Sequence, residues 1–406
     1  MGDAPLHPHA IEFILRMGRA LHRHGFSAYR LEGVMTRLAA KLGIDDAQVF
    51  STPTSIMAAF GPLGAQQTHL MRVEPGSVNL GQLTQLDRVA TQVLNGELSA
   101  ADGIARLREI EARSAPYAPL LELLAYTLIS AAVARFLGGG VREIAVAAAL
   151  GFVIGLLSWY GTSRPWVGRV FEPLAAFFAS LAAGVIAARW LPHAVFLSTL
   201  AGLVVLLPGF SLTIGVRELS TQHLASGTAR LSAALVTFLG IGFGVALGTR
   251  IAGNLAAAVP APAVEPLPGW TLWVAILLAG LSFTVIMRAE PRDALWVVLA
   301  GAIAVLAGRL GASLLGLELG AFVGSLAVGI AGNTFTRLRN RPSSIMLVPG
   351  VTMLVPGTVG FRSLSALLEA EVVTGVETAF RMALTAIALV AGLLFADIVT
   401  PNRRIV

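Results

Sequence analysis

From residue 118 onward the chain is a succession of apolar runs separated by short polar turns. A helix needs roughly 20 apolar residues to cross the hydrocarbon core of a bilayer. Candidate runs lie at 118–137, 141–160, 170–189, 193–207, 228–250, 270–288, 293–310, 317–333, 343–355 and 376–398. Two are short, 193–207 and 343–355, and both run into Pro-Gly. Charge agrees with this reading. Only 13% of the 406 residues are charged, about half the share of a soluble globular chain, too few to cover a water-facing surface. That excludes a wholly soluble protein and disorder alike. The chain has no cysteine, so a disulfide scaffold, thiol catalysis, Fe–S clusters and Cys-ligated zinc are excluded too.

The charge is unevenly spread. Residues 1–115 carry eleven Lys/Arg and eleven Asp/Glu, whereas residues 116–406 carry eighteen Arg and twelve Asp/Glu. The first segment therefore has soluble composition, and the net +6 belongs to the membrane part. These arginines sit singly at run ends, which argues against a nucleic-acid surface. Helical periodicity predicts helices over 8–24 and 28–42, stopped by Gly25 and Gly43. Strand patterns follow at 47–60 and 68–73. Two more helices are expected over 79–94 and 99–112, with Asn79 and Ser99 as N-caps. No secretory signal is expected, since the first twenty residues hold Glu12, Arg16 and Arg19 instead of an apolar core. The H-x-H pairs at His7/His9 and His22/His24 turn their rings about 200° apart on a helix, so no metal and no other cofactor is expected.

The ten runs form two sets of five. A shift of 148 residues carries the first set onto the second, Pro208-Gly209 onto Pro356-Gly357, and Gly227 onto Gly375. A five-span unit ends on the side opposite its start, so its copy enters inverted, as in secondary transporters. The expected fold is thus an all-α polytopic membrane domain of about ten helices arranged as two inverted five-helix repeats, preceded by a small α+β cytoplasmic domain. The expected boundaries are 1–115 for the cytoplasmic domain, 116–250 and 270–406 for the repeats, and 251–269 for the linker. With the N-terminus inside, eleven arginines fall on inside connections and tail against six outside, which favours both termini in the cytoplasm of a cytoplasmic (inner) membrane.

Chemistry is expected at the two broken runs, because proline removes a backbone donor and freed backbone groups inside a membrane must find partners. The breaks are Pro208-Gly209, Pro349-Gly350 and Pro356-Gly357. Beside them, Ser211, Thr213, Arg217, Glu218 and Thr352 are candidates for the transport path, with Asn333 and Thr334 from the eighth run and Arg381 from the tenth. Ionisable residues inside a membrane are costly and mark function. Glu377 lies four residues from Arg381 on one helix face, and with Glu172 it is a candidate for proton coupling. Asp397, Glu122 and Glu318 are expected at the interface instead. G-x-x-x-G spacings such as Gly240–Gly244–Gly248 allow close helix approach. A homo-oligomer is compatible with this pattern. Phosphate-loop, metalloprotease and nucleotide motifs are absent, so no enzyme is expected.

The run GRALHRHGFSAYRLEGVMTRLAAKLGI (18–44), then STPTSIMAAFG (51–61), LLPGFSLTIGVREL (206–219) and LVPGVTMLVPGTVGFRSL (347–364), resemble the threonine/serine exporter family over nearly the whole chain. The resemblance implies a proton-driven efflux carrier for small hydroxy-amino acids, with the bilayer, protons and a small amino-acid or organic-acid substrate as partners. In some relatives the halves are separate subunits linked to dicarboxylate export, so a dicarboxylate exporter is the alternative. A membrane sensor with a ligand-binding cytoplasmic domain is the third reading, against which the repeat stands.

Overall fold

A computed structural model describes residues 8–113, 116–162, 168, 170–255, 263–354, 357–368 and 371–401. In the N-terminal region, α1 (Pro8–Arg23) and α2 (Ala28–Lys41) pack through apolar residues spaced three and four apart. Phe13, Ile14, Met17 and Leu21 face Leu31, Met35 and Leu38 in one buried cluster. Gly25 and Gly43 follow these helices with φ of +82°, the left-handed conformation that glycine adopts without strain. An antiparallel three-stranded sheet follows, β1 (Ala47–Thr52), β2 (Ser55–Phe60) and β3 (Gln67–Arg72), in register Phe50↔Met57↔Leu70. Then come α3 (Leu80–Asn95) and α4 (Ala100–Glu111). Both expected caps form: Asn79 Oδ1 accepts from Gln82 N at 2.9 Å, and Ser99 Oγ from Asp102 N at 3.1 Å.

The remainder is helical. The elements are α5 (Pro119–Phe136), α6 (Val141–Thr162), α7 (Phe171–Arg189), α8 (Val195–Gly202), α9 (Gly209–Ser220) and α10 (Leu224–Leu255). They continue as α11 (Thr271–Ile286), α12 (Ala294–Leu315), α13 (Leu317–Arg339), α14 (Ser344–Leu354), α15 (Gly357–Leu368) and α16 (Val372–Val399). Among the described residues eight helices are long and apolar enough to cross a membrane, α14 with α15 counting as one; α8 with α9, bent by 51° at their break, make nine. The protein is thus a multi-pass membrane protein. Each expected apolar run coincides with a helix or a broken pair, but α11 is only 16 residues long. Length and composition therefore establish eight or nine spans where ten were expected.

The breaks differ from expectation in one respect. The first is as read: α8 ends at Gly202, a 3-10 turn covers Val204–Leu206, and α9 starts after Pro208. At the second, Pro349-Gly350 is no break, because α14 runs straight through it. Pro349 deprives only the Ile345 carbonyl, in the first turn, of its helical donor. Gly350 serves packing: a Cβ there would lie 2.7 Å from Val328 Cγ1 and 3.3 Å from the Ala300 carbonyl. Pro356 lies outside the described residues; α15 begins at the next position, Gly357.

Contacts sort the helix ends onto two faces. The N-terminal region docks on one. Leu80 and Gly81 N–H donate to the carbonyls of Met287 and Arg288 just past α11, at 2.9 and 3.0 Å. Tyr117 Oη donates to the Ala289 carbonyl, and Ala28 N–H reaches Glu218 at the end of α9. The ends of α13 and α16 meet there as well, through Asn333 Nδ2 on the Thr400 carbonyl at 2.7 Å. The buried apolar cluster of the N-terminal region continues into this face through Met287, Phe335, Ile345 and Met346. At the opposite face the end of α5 meets the start of α11, Arg135 Nε donating to Thr271 Oγ1, and Glu143 accepts from Ala194 N–H.

Two helix pairs, α7 with α10 and α13 with α16, approach so closely that only glycine fits. A Cβ on Gly248 would overlap Ser180 Oγ, and one on Gly392 would overlap Ser325 Oγ. Gly253, further along α10, has no atom within 4 Å of such a Cβ. Gly248→Ala is therefore expected to destabilise the detergent-solubilised protein by about 1–3 kcal/mol through overpacking. Gly253→Ala should be neutral or stabilising by up to about 1 kcal/mol, the helix-propensity difference. Melting curves of the two variants side by side check this.

Candidate functional site

The two broken segments meet. A Cβ on Gly357 would lie 3.3 Å from Leu207 Cβ and 3.7 Å from Gly209 Cα, so the N-termini of α9 and α15 abut. Beside this junction is a cavity of about 580 Å³. Val204, Leu207, Gly209 and Phe210 line it from the first break, and Thr352, Met353, Gly357 and Thr358 from the second. α5, α6 and α11 complete its wall, and Ser77 and Val78 of the N-terminal region reach its mouth. The lining is mainly apolar. Its polar side chains are the hydroxyls of Ser77, Tyr126, Ser158, Thr352 and Thr358, the Trp159 indole, and one ion pair, Glu122 with Arg288 at 3.8 Å. Helix N-termini carry partial positive charge and unbonded N–H groups, so the abutting ends of α9 and α15 favour an anionic group beside them. Arg288 has φ of +50°, uncommon for a non-glycine residue. It is held there by the hydrogen bond its carbonyl accepts from Gly81 N–H.

A larger groove, about 890 Å³, lies on the N-terminal region between α1, β3 and α3. It touches neither break, so size does not single it out as the membrane site.

A polar network lies where the N-terminal region meets the membrane helices. Glu218, with a side chain 0% exposed, accepts from Ala28 N–H at 2.9 Å, from Ser226 Oγ at 2.8 Å and from Arg230 Nε at 3.0 Å. Nearby, Arg217 pairs with Asp397 at 2.7 Å, and Asn333 Nδ2 donates to the other oxygen of Asp397 at 3.1 Å. The Arg217 guanidinium stands 4.9 Å over the Tyr29 ring. Glu32 holds Ser51 N–H and Oγ and faces His223 at 3.2 Å.

The residues singled out from sequence therefore divide. Thr352 lines the cavity, its Oγ1 donating to the Val348 carbonyl at 2.7 Å. Thr213, Arg217 and Asn333 gather at the network, and Thr213 is buried with Oγ1 bonded to the Gly209 carbonyl. Glu218 is a docking anchor away from the cavity, because every one of its partners is structural. Ser211 is half-buried on α9 and does not line the cavity, and Thr334 is exposed at the end of α13. Glu172 is half-buried in the first turn of α7, away from the cavity. Glu377 and Arg381 do pair, at 2.8 Å, but are 60% and 52% exposed. They stand on the outer face of α16 among Val373, Val376 and Phe380, all exposed, so this is not a buried charge pair. Tyr29, Arg30, Glu122, Tyr126, Arg288 and Ser344 were not singled out for the site. Glu122, Tyr126 and Arg288 lie outside the broken segments, Ser344 opens α14 without a pattern that marks it, and Tyr29 and Arg30 sit in the soluble-looking part of the sequence. Among the described residues no group of three or more His, Asp or Glu is placed to hold a metal ion.

Two family models match the chain. One, for threonine/serine exporters, covers residues 12–252, and a second model of threonine/serine exporters covers 272–399. Curated relatives include pheromone-regulated membrane protein 10 of Debaryomyces hansenii, 27% identical over 92% of this chain and 38% of that protein. Its namesakes in Saccharomyces cerevisiae and Eremothecium gossypii are 26% and 27% identical over 88% and 86% of this chain. The chain spans less than half the length of these three relatives, 38–48%. No solved structure matches it.

Two outcomes are expected at the docking face. Glu218→Gln leaves Arg230 without its carboxylate, and removing one partner of a buried pair costs about 3–5 kcal/mol. The N-terminal region should loosen, read as faster trypsin cleavage near Arg113 in an otherwise folded protein. Acid should act in the same direction. Burial and then Arg23 push His24 down to about 4, and burial pushes His22 down as well. The docked form therefore resists a proton that the unfolded chain accepts near pH 6.5. Stability is full above about pH 6.5 and falls as pH drops toward about 4. The melting temperature should fall from pH 7 to pH 5, and His24→Gln should shrink that fall.

Proposed function

The chain belongs to the threonine/serine exporter family, and we propose that it exports small hydroxy-amino acids through the cavity between its broken spans. The observation that carries this reading is the cavity wall: two abutting helix N-termini, five hydroxyls, and one carboxylate with one guanidinium. A zwitterion carries one charge of each sign, which matches a lining with one acid and one base. The N-termini of α9 and α15 would take the carboxylate, and Thr352 and Thr358 the side-chain hydroxyl. A dicarboxylate would bring two negative charges beside a single arginine, so the amino acid is the better fit.

Alternating access by two inverted halves is part of this proposal, and three features support it. Gly209 and Gly357, 148 residues apart, meet at the centre. The close contact of Gly227 with Leu219 recurs, 148 residues later, as Gly375 with Leu367. Arg217 pairs with Asp397 near the end of α16, while the start of α10 contacts Glu218. So α10 starts at the docked face where its counterpart α16 ends. Among the described residues the arginines at the docked face are Arg217, Arg230, Arg288, Arg292, Arg337, Arg339 and Arg341, and those toward the opposite face are Arg135, Arg142, Arg189, Arg250, Arg309 and Arg362. The excess, seven against six, is in the direction of a cytoplasmic docked face. Arg164, Arg169, Arg403 and Arg404 lie outside the described residues.

Proton antiport needs a carboxylate that meets both substrate and water. Glu122 is placed for it, at the cavity mouth and beside Arg288, whereas Glu377 faces outward and Glu172 lies off the path. Proteoliposomes loaded with radiolabelled threonine, serine or succinate, with and without a pH gradient, test the whole reading. Threonine and serine should leave faster when the outside is acid, and succinate should not. Glu122→Gln should lose gradient-driven export at least tenfold yet keep exchange of internal for external threonine, and Glu377→Gln should keep both. Threonine efflux equal to that of empty-membrane controls would end the proposal.

A further inference from the structure

Outside the central cavity, the polar network at the docking face is the most charged part of the buried structure. Beside it lies a second, smaller space of about 80 Å³, lined by Tyr29 and Arg30 of α2, Thr213 and Arg217 of α9, and Ser344 of α14. It adjoins the central cavity, since Val78 and Phe210 line both. Its charges do not balance. Both guanidiniums flank one ring, Arg217 at 4.9 Å and Arg30 at 5.8 Å from the centre of Tyr29. Asp397 pairs directly with Arg217, and among the described residues no carboxylate lies within ion-pair distance of Arg30. The neighbouring Glu218 is already neutralised by Arg230. Hydrogen bonding does not balance either. Arg217 Nε and Ser344 Oγ are both buried and have no hydrogen-bond partner. Buried polar groups are nearly always bonded, and those that are not call for an ion, a water or a ligand. A buried, unbonded guanidinium N–H is a costly donor to leave so.

We propose that this space is a binding site for a small monoanion, a carboxylate or a halide, held between Arg30 and Arg217. The anion accepts from Arg217 Nε and Ser344 Oγ, and its charge offsets the second guanidinium. Arginine suits this because its donors are fixed in one plane and it stays charged when buried. The space excludes larger anions such as nucleotides by size. Arg30 comes from the N-terminal region and Arg217 and Ser344 from the two membrane halves, so the ligand bridges all three. Occupancy therefore tightens docking of the N-terminal region next to the mouth of the cavity. Nothing in this site depends on transport, so its test is a binding measurement on the solubilised full chain.

The experiment is thermal unfolding and trypsin protection in detergent, in a buffer of a bulky anion such as gluconate. Three probes are titrated separately: sodium acetate, sodium chloride and L-threonine. At least one should raise the melting temperature saturably and slow cleavage near Arg113. Acetate acting without chloride identifies a carboxylate site, chloride acting as well identifies a general monoanion site, and a threonine response that Arg30→Gln leaves unchanged belongs to the central cavity and counts against this site. Arg30→Gln should weaken the apparent affinity at least tenfold. Ser344→Ala, which removes a hydroxyl that bonds nothing else, should weaken it severalfold and keeps the test open if Arg30→Gln folds poorly. The proposal falls if none of the three probes gives a saturable shift, or if the folded variants respond like the parent. Loss of threonine efflux with anion binding intact would instead count against the transport reading alone.

Discussion

A backbone N–H or C=O in the middle of a bilayer must find a partner, and this one constraint orders the structure around the break between α8 and α9. Pro208 cannot donate, and the turn from Leu203 to Leu207 leaves the first amides of α9 outside any helical ladder. Such a segment is tolerated at membrane depth only where protein or a polar cavity covers it. Here the cover is the start of α15, which abuts Gly209 through Gly357. Each broken helix shields the other, and what remains open between them is the cavity. An anionic group is best suited to the amides that neither helix can satisfy.

The close packing of the flanking helices follows from that arrangement. Short, interrupted helices have few of their own ladder bonds to hold them, so they must be held by rigid neighbours. The α7–α10 and α13–α16 pairs supply this, packed with glycine against serine at Gly248–Ser180 and Gly392–Ser325. Small residues let helices approach where lipid offers no hydrophobic drive.

Much of this could be read from the sequence, and the failures have physical causes. Apolar runs and Pro-Gly punctuation gave the helices, and N-cap chemistry gave Asn79 and Ser99, because both depend on neighbours a few residues away. The 148-residue offset made Gly209 and Gly357 equivalent, and the structure brings these two positions together. Pro349 misled, since a proline near a helix start looks on paper like one at a break. Glu377 and Arg381 misled because four-residue spacing shows that two side chains meet, not which way their helix face points. Glu218 showed only as a charge after a break. Its partner Ala28 lies 190 residues away, and no local pattern encodes so distant a contact.

The positions where the two halves differ explain why the N-terminal region docks on one face only. Counting 148 residues on from the anchor, Arg217, Glu218 and Arg230 correspond to Ser365, Ala366 and Thr378. The glycine and leucine that pack these helices are kept, as Gly227 with Leu219 and Gly375 with Leu367, but every charge is gone. The end of α9 meets α2 through Glu218 and Tyr29, whereas α15 ends beside the start of α16, the end of that helix remote from Asp397. A buried carboxylate there would have no Ala28 amide and no Arg230 to offset its desolvation, a cost of several kcal/mol. A small or neutral residue avoids that cost. So the charges sit where the N-terminal region covers them, and the two halves, alike in packing, are unlike in chemistry. That asymmetry leaves two distinguishable faces, one covered by the docked N-terminal region and one not.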